Sequence, residues 1–292
     1  MYRAQVILRT FLIILVALSS ISIIHVTDAA NNVESVDDPN TSERPNCERI
    51  SLATCTTEIS DVLDQSAASD GTSDSKPILY DDFEDSIYDL ANGAVSPNGK
   101  WRSIDNGYGA MGVRTNDVGN NIFYLHPKAA ERKNETYSAL ATTVTKYTDF
   151  TLTLEVLTEK QLRLNTPPNS WEAAWVLFRF TDIFHYYWLL LKPDGVELGK
   201  KDCNSCTDPV EGQIFLKRLD APNLILNKWS KWDIQAHDNR IIATIDGNRI
   251  IDYVDNNASE TLNSGSVALY TEDAEVEFDN IYISLGNSSR VS

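Results

Sequence analysis

Histidine is scarce in this chain, with four among 292 residues, and one of the four lies in the apolar N-terminal run. No His-Glu-x-x-His run, phosphate loop or serine nucleophile elbow is present, which excludes the hydrolase and nucleotide sites built on them. Basic residues are outnumbered, 25 to 42, and the formal net charge is -17. Such a surface repels phosphate backbones and argues against a nucleic-acid partner. No EF-hand loop occurs. No internal repeat and no long helical period is visible. Beyond the N-terminus, no second stretch is long and apolar enough to span a bilayer.

That N-terminus carries the clearest local signal. Arg3 and Arg9 precede an uncharged, largely apolar run over 11–26, and Thr27-Asp28-Ala29 supplies small residues at cleavage positions. Residues 1–29 read as a secretory signal peptide, or as an uncleaved membrane anchor. Either reading places the rest of the chain outside the cell or on its surface. Four cysteines fit that compartment, with Cys47 paired to Cys55 and Cys203 to Cys206 as the simplest connectivity. Asn40, Asn134, Asn257 and Asn287 head Asn-x-Ser/Thr tripeptides, which would accept glycans in a host that glycosylates.

Residues 30–75 are rich in Asp, Ser, Thr, Asn and Glu, and 65–75 are almost all small or acidic. Such a segment buries too little apolar surface to offset its ordering entropy. It is expected to be a flexible stalk, with a short helix near 58–63. A domain over 76–286 and a tail over 287–292 complete the chain.

From Lys76 onward the apolar pattern has period two. Phe150, Leu152, Leu154 and Val156 alternate with Thr151, Thr153 and Glu155. Val176, Phe178 and Phe180 alternate with Trp175, Leu177 and Arg179, and Tyr187, Leu189 and Leu191 with Trp188, Leu190 and Lys192. Asp238-Asn239 and Asp246-Gly247-Asn248 suit tight hairpins that need positive φ. Many short strands and no helices predict an all-β, two-sheet antiparallel jelly-roll sandwich.

The middle strands have an unusual second face. Sugar recognition needs flat aromatic surfaces for pyranose C–H groups and charged or amide groups for hydroxyls. Trp171, Trp175, Arg179, Tyr186, Trp188 and Lys192 supply both types and are the candidate carbohydrate-binding residues. Glycoside hydrolysis usually needs two carboxylates across the scissile bond. Glu155, Glu172 and Glu197 are the candidates, with His185 as a candidate acid or base. No Glu-x-Asp-x-x-Glu run is present to place two acids on one strand face. A structural calcium ion is the cofactor that the acidic residues suggest. Asp82 and Glu84 open the domain and Asp279 lies in its last strand, and first and last strands often pair in jelly rolls.

An ordered series of short motifs runs through the domain. It includes Asp149-Phe150-Thr151-Leu152, Tyr186-Tyr187, Lys192-Pro193-Asp194-Gly195, Asn227-Lys228-Trp229 and Ile245-Asp246-Gly247. It closes with Ser264-Gly265-Ser266-Val267-Ala268-Leu269-Tyr270 and Phe278-Asp279-Asn280-Ile281. The series resembles the concanavalin A-like lectin/glucanase superfamily, and within it the 3-keto-disaccharide hydrolase-like family and its laminin-G-like relatives. The resemblance implies a curved double sheet with a sugar on the concave face, and in the enzymes a 3-keto-glucoside as substrate. Arg179 matches an arginine that the family carries at the end of a central strand. Trp171-Glu172-Ala173-Ala174-Trp175 departs from the small Asn-Ser-Gly entry common in the enzymes, which favours binding over catalysis. The alternatives carried forward are a carbohydrate-binding surface domain, a hydrolase or lyase acting on a modified sugar, and an adhesion protein without a small ligand.

Overall fold

The computed structural model describes residues 78–207 and 211–285. The N-terminal segment, the stalk, Cys47 and Cys55, Asn40, Asn287 and the 287–292 tail lie outside them. Among the described residues, no helix is long and apolar enough to cross a membrane.

Among the described residues, sixteen strands follow one another. They are β1 (Leu79–Asp81), β2 (Tyr88–Asp89), β3 (Trp101–Asp105), β4 (Ala110–Thr115), β5 (Asn121–His126), β6 (Ser138–Thr143), β7 (Phe150–Gln161) and β8 (Ala174–Asp182). Then come β9 (His185–Lys192), β10 (Gly195–Asp202), β11 (Gln213–Leu219), β12 (Ser230–His237), β13 (Arg240–Ile245), β14 (Asn248–Val254), β15 (Ser266–Glu272) and β16 (Ala274–Leu285). A nine-stranded sheet runs β14-β13-β12-β7-β16-β5-β4-β2, with β1 also on β16. A seven-stranded sheet runs β11-β10-β9-β8-β15-β6-β3. Every pairing is antiparallel. This is the two-sheet jelly roll that the period-two pattern predicts.

The core lies between the sheets. Phe150, Leu152, Leu154 and Val156 of β7 share one buried cluster with Tyr187, Leu189 and Leu191 of β9 and with Trp232, Ile234 and Ala236 of β12. Each of the Phe, Leu, Val and Ile side chains contributes about 1.5–3 kcal/mol by leaving water. The two hairpin signals are turns, with Asp238 at φ 49°, Asp246 at φ 50° and Gly247 at φ 77°.

Two bulges decide which side chains reach which face. A bulge adds a residue to one strand and reverses the alternation beyond it. In β8 the register with both neighbours shifts around Arg179, whose φ is 50°. Phe180 therefore leaves the Val176–Phe178 layer and packs with Trp175 and Leu177, contrary to the simple alternation. Gly265 makes room for the bulge, since a Cβ there would lie 2.3 Å from the Arg179 carbonyl carbon. In β16 a shift between Asp279 and Tyr282 divides one edge between β5, at 276–278, and β1, at 281–283.

Candidate functional site

The outer face of the seven-stranded sheet carries a second apolar cluster. Trp175, Leu177, Phe180, Trp188, Leu190 and Leu140 form it, with Trp171, Tyr186, Leu224 and Tyr270 packed around them. The rings touch in sequence. Tyr186 and Trp188 lie 6.1 Å apart, Trp188 and Trp175 6.2 Å, and Trp175 and Tyr270 5.7 Å in an edge-on contact. Trp188 is only 1% exposed and Trp175 8%, although this is an outer face. Trp171 and Leu224, from loops beside the sheet, wall the strip in. Gly199 of β10 lies beneath Trp188, and a Cβ there would fall 2.0 Å from the indole ring.

Charged groups stand at two ends of this strip. At one, the Trp188 indole N–H donates to Glu197 Oε1 at 3.1 Å, while Glu197 Oε2 pairs with Lys192 Nζ and Arg218 Nε, both at 3.3 Å. The Arg218 guanidinium also lies 3.7 Å from the centre of the half-exposed Phe215 ring. At the other, Tyr270 donates its hydroxyl to Glu272 Oε1 at 2.6 Å. Burial pushes the Glu272 carboxyl up to about 7; Asp273 and Glu172 add to the rise, while the Tyr270 bond and Arg163 oppose it. A carboxyl held there is part protonated at neutral pH, as a general acid or base requires.

Behind Glu272 lies a buried ion-pair hub. Arg163 Nε meets Glu172 Oε1 at 2.5 Å, and its Nη2 meets Asp273 Oδ2 at 2.7 Å. Its other donors reach the carbonyls of Arg132 and Lys133 and the Thr136 hydroxyl, each at 3.3 Å. Glu172 also accepts from Asn169 Nδ2 at 2.7 Å. The hub ties three loops to the edge of the aromatic strip. Desolvation raises Asp273 to about 6, against the opposing hydrogen bond from the Tyr137 N–H and the charge of Arg163.

Of the residues singled out in the sequence, Trp171, Trp175, Tyr186, Trp188 and Lys192 share this face. Glu155, Glu172, Arg179 and His185 do not converge on it. Glu155 is in the other sheet, where it accepts from Asn280 Nδ2 at 3.0 Å. Glu172 is fully buried against Arg163. Arg179 is turned away by its bulge. Its guanidinium donates to the carbonyls of Thr148 at 3.1 Å and Asp238 at 2.7 Å, and pairs with Asp149 at 3.2 Å. His185 is held at both nitrogens, Nδ1 by Asp182 at 2.9 Å and Nε2 by Asn204 at 3.1 Å.

Cys203 and Cys206 form a disulfide with a Cα–Cα distance of 5.6 Å. Strand β1 pairs with β16, which brings Asp82, Glu84 and Asp279 to one end of the sandwich. There Asp279 accepts from Asn120 at 2.7 Å, and Glu84 accepts from the Asn121 N–H at 3.0 Å. Among the described residues, these three do not bring their ligand atoms within 4.8 Å of one another.

Sequence reasoning missed Glu272, Tyr270 and Arg163. The alternation Ala268, Tyr270, Glu272 would have put Glu272 on the Tyr270 face, but only the pairing of β15 with β8 sets Tyr270 against Trp175.

The model of the 3-keto-alpha-glucoside-1,2-lyase-like domain matches residues 88–284, two-thirds of the chain. No curated protein matches it. Among solved structures, carbohydrate-binding module CBM66 from Bacillus subtilis is similar at 14% identity and TM-score 0.46, covering 67% of this chain and 99% of its own. A Bacillus licheniformis beta-glucanase is similar at 11% identity and TM-score 0.44, covering 69% and 98%.

Proposed function

This chain belongs to the 3-keto-alpha-glucoside-1,2-lyase-like domain family, and from that premise we propose that it holds a carbohydrate on the outer face of its seven-stranded sheet. The observation that carries the reading is the aromatic strip in which the partly exposed Trp171, Tyr186 and Tyr270 pack against the buried Trp175 and Trp188, with charged groups at both ends. The partly exposed rings of Trp171, Tyr186 and Tyr270 suit pyranose C–H surfaces, and Lys192 and Arg218 at the Glu197 end offer partners for hydroxyls.

We further assign Glu272 as the acid–base group. In a 3-keto sugar the C2 hydrogen is α to the ketone and is acidified by it. A base removes that proton, the C1–O bond breaks, a C1=C2 double bond forms, and the leaving oxygen takes up a proton. One carboxyl that changes protonation near neutrality can serve such an elimination. The paired acids of ordinary glycoside hydrolysis are not required. Tyr270 orients the Glu272 carboxyl for the task.

A second reading, binding without turnover, is favoured by the fate of the other acids. Glu172 is locked to Arg163 and Glu155 lies in the opposite sheet. Incubation with a 3-keto-alpha-glucoside separates the two. Turnover gives an unsaturated keto sugar and the free alcohol, and Glu272→Gln lowers the rate by about 100-fold or more while binding remains. Binding without products supports the second reading. Absence of binding contradicts both.

Export is part of the proposal. The N-terminal apolar run following Arg3 and Arg9 supports it. So do the Cys203–Cys206 bond, at home in an oxidising compartment, and the exposure of Asn134 and Asn257.

A further inference from the structure

The opposite side of the sandwich carries a group of side chains that the carbohydrate reading leaves unused. On the nine-stranded sheet, His126 of β5, Glu159 of β7 and Glu275 of β16 bring one potential ligand atom each to within 4.8 Å of one another. β16 lies between β5 and β7, so three adjacent strands each supply one group. The β7–β16 register shifts between Glu275 and Val276, a local bulge beside the group.

The charges around the group are only partly compensated. Arg114 pairs with Glu159 at 3.1 Å and with Glu277 at 2.8 Å, and Lys160 pairs with Glu275 Oε1 at 2.8 Å. Three carboxylates thus face two cations. Glu159 meets Arg114 through Oε2 and Glu275 meets Lys160 through Oε1, so each retains a second oxygen. Lys160 is about half exposed and free to swing into solvent.

The imidazole presents its outer nitrogen to the group. His126 Nε2 is inaccessible to solvent and lies against Glu275 Oε2, yet it has no hydrogen-bond partner in acceptable alignment. The Tyr124 ring, edge-on at 5.8 Å, packs against the imidazole.

We propose that His126, Glu159 and Glu275 bind a divalent transition cation, with zinc the best fit to one imidazole nitrogen and two carboxylates. Zinc takes both donor types and accepts few ligands, whereas calcium and magnesium prefer oxygen-only shells. With three protein ligands, a fourth position is left for water. The bound ion would cross-link the central strands of the sheet on the face opposite the carbohydrate strip.

The test uses the full chain after treatment with a chelator. Zinc, calcium and magnesium are titrated separately by calorimetry, and cobalt by visible absorption. The expected result is zinc binding at one site dependent on His126, a cobalt spectrum showing nitrogen and oxygen ligation, and much weaker calcium and magnesium binding. His126→Gln and Glu275→Gln each weaken zinc binding by about tenfold or more, the size of effect that even outer-shell losses can have. Glu277→Gln, which alters only the Arg114 neighbour, serves as the folded control and keeps wild-type affinity. Zinc binding undiminished in His126→Gln and Glu275→Gln overturns the proposal, as does no zinc binding in wild type. Circular dichroism on each variant establishes that a loss of binding is not a loss of fold.

Discussion

Tyr270 donates its hydroxyl to Glu272 at 2.6 Å, and the same tyrosine ring meets Trp175 edge-on at 5.7 Å. One side chain thus joins the aromatic strip to the carboxyl with the raised pKa. The relationship follows from β15 alone, where Tyr270 and Glu272 are two residues apart and share a face.

Stability should therefore depend on pH through Glu272. Its folded value, about 7, lies above the ordinary 4.5, so the folded state binds the proton more tightly than the unfolded state. Stability from this group is full below about 4.5 and is lost as pH rises through 7. Glu272→Gln should flatten that decline, by about 3 kcal/mol at most. Urea unfolding of both proteins at pH 4.5 and 8 measures it. Asp273, raised to about 6, contributes in the same direction and remains in the variant.

Arg163 is expected to be far less replaceable than its distance from the aromatic rings suggests. Arg163→Ala leaves Glu172 and Asp273 as buried, uncompensated carboxyls, at a cost of about 3–5 kcal/mol. Arg163→Lys should rescue little, because a lysine cannot reproduce a planar fork with five contacts. Denaturant midpoints of the two variants test this.

At Arg179 the expected effect is on folding and not on sugar affinity. Its side chain satisfies two carbonyls and Asp149, and its backbone has φ 50°. Arg179→Ala loses the contacts and keeps the unfavourable φ. Arg179→Gly loses the same contacts but relieves the backbone, so it should be the more stable by about 1 kcal/mol. Thermal unfolding of both, with glycan affinity measured on the folded protein, checks the pair.

Gly199→Ala should disturb the strip directly. The new Cβ would fall 2.0 Å from the Trp188 ring, and a ring wedged among Trp175, Tyr186 and Phe215 has little room to move. The outcome expected is weaker sugar binding and an altered tryptophan emission spectrum, with overpacking costing about 1–3 kcal/mol.

Much of the fold was legible in the sequence because burial on one face of a strand imposes period two. The Phe150 to Val156 and Tyr187 to Leu191 alternations read directly onto the core. What could not be read was wherever a bulge reverses the alternation. Arg179 and Phe180 sit in such a place, and the positive φ at a bulky arginine has no sequence signature. The aromatic half of the site was legible for the same reason as the core, since Trp175 and Trp188 occupy the phase opposite to it. The acidic half was not. Glu272 is 97 residues from Trp175 in sequence, and their proximity depends on the register of β15 against β8.

The most direct test of the carbohydrate face is a binding titration with a 3-keto-alpha-glucoside and a glycan panel. It compares wild type with Trp171→Ala, at the wall of the strip, and Glu155→Gln, in the other sheet. The account predicts binding by wild type, a loss of about tenfold or more in Trp171→Ala, equivalent to about 1.4 kcal/mol, and no change in Glu155→Gln. Full affinity in Trp171→Ala together with a loss in Glu155→Gln would contradict it.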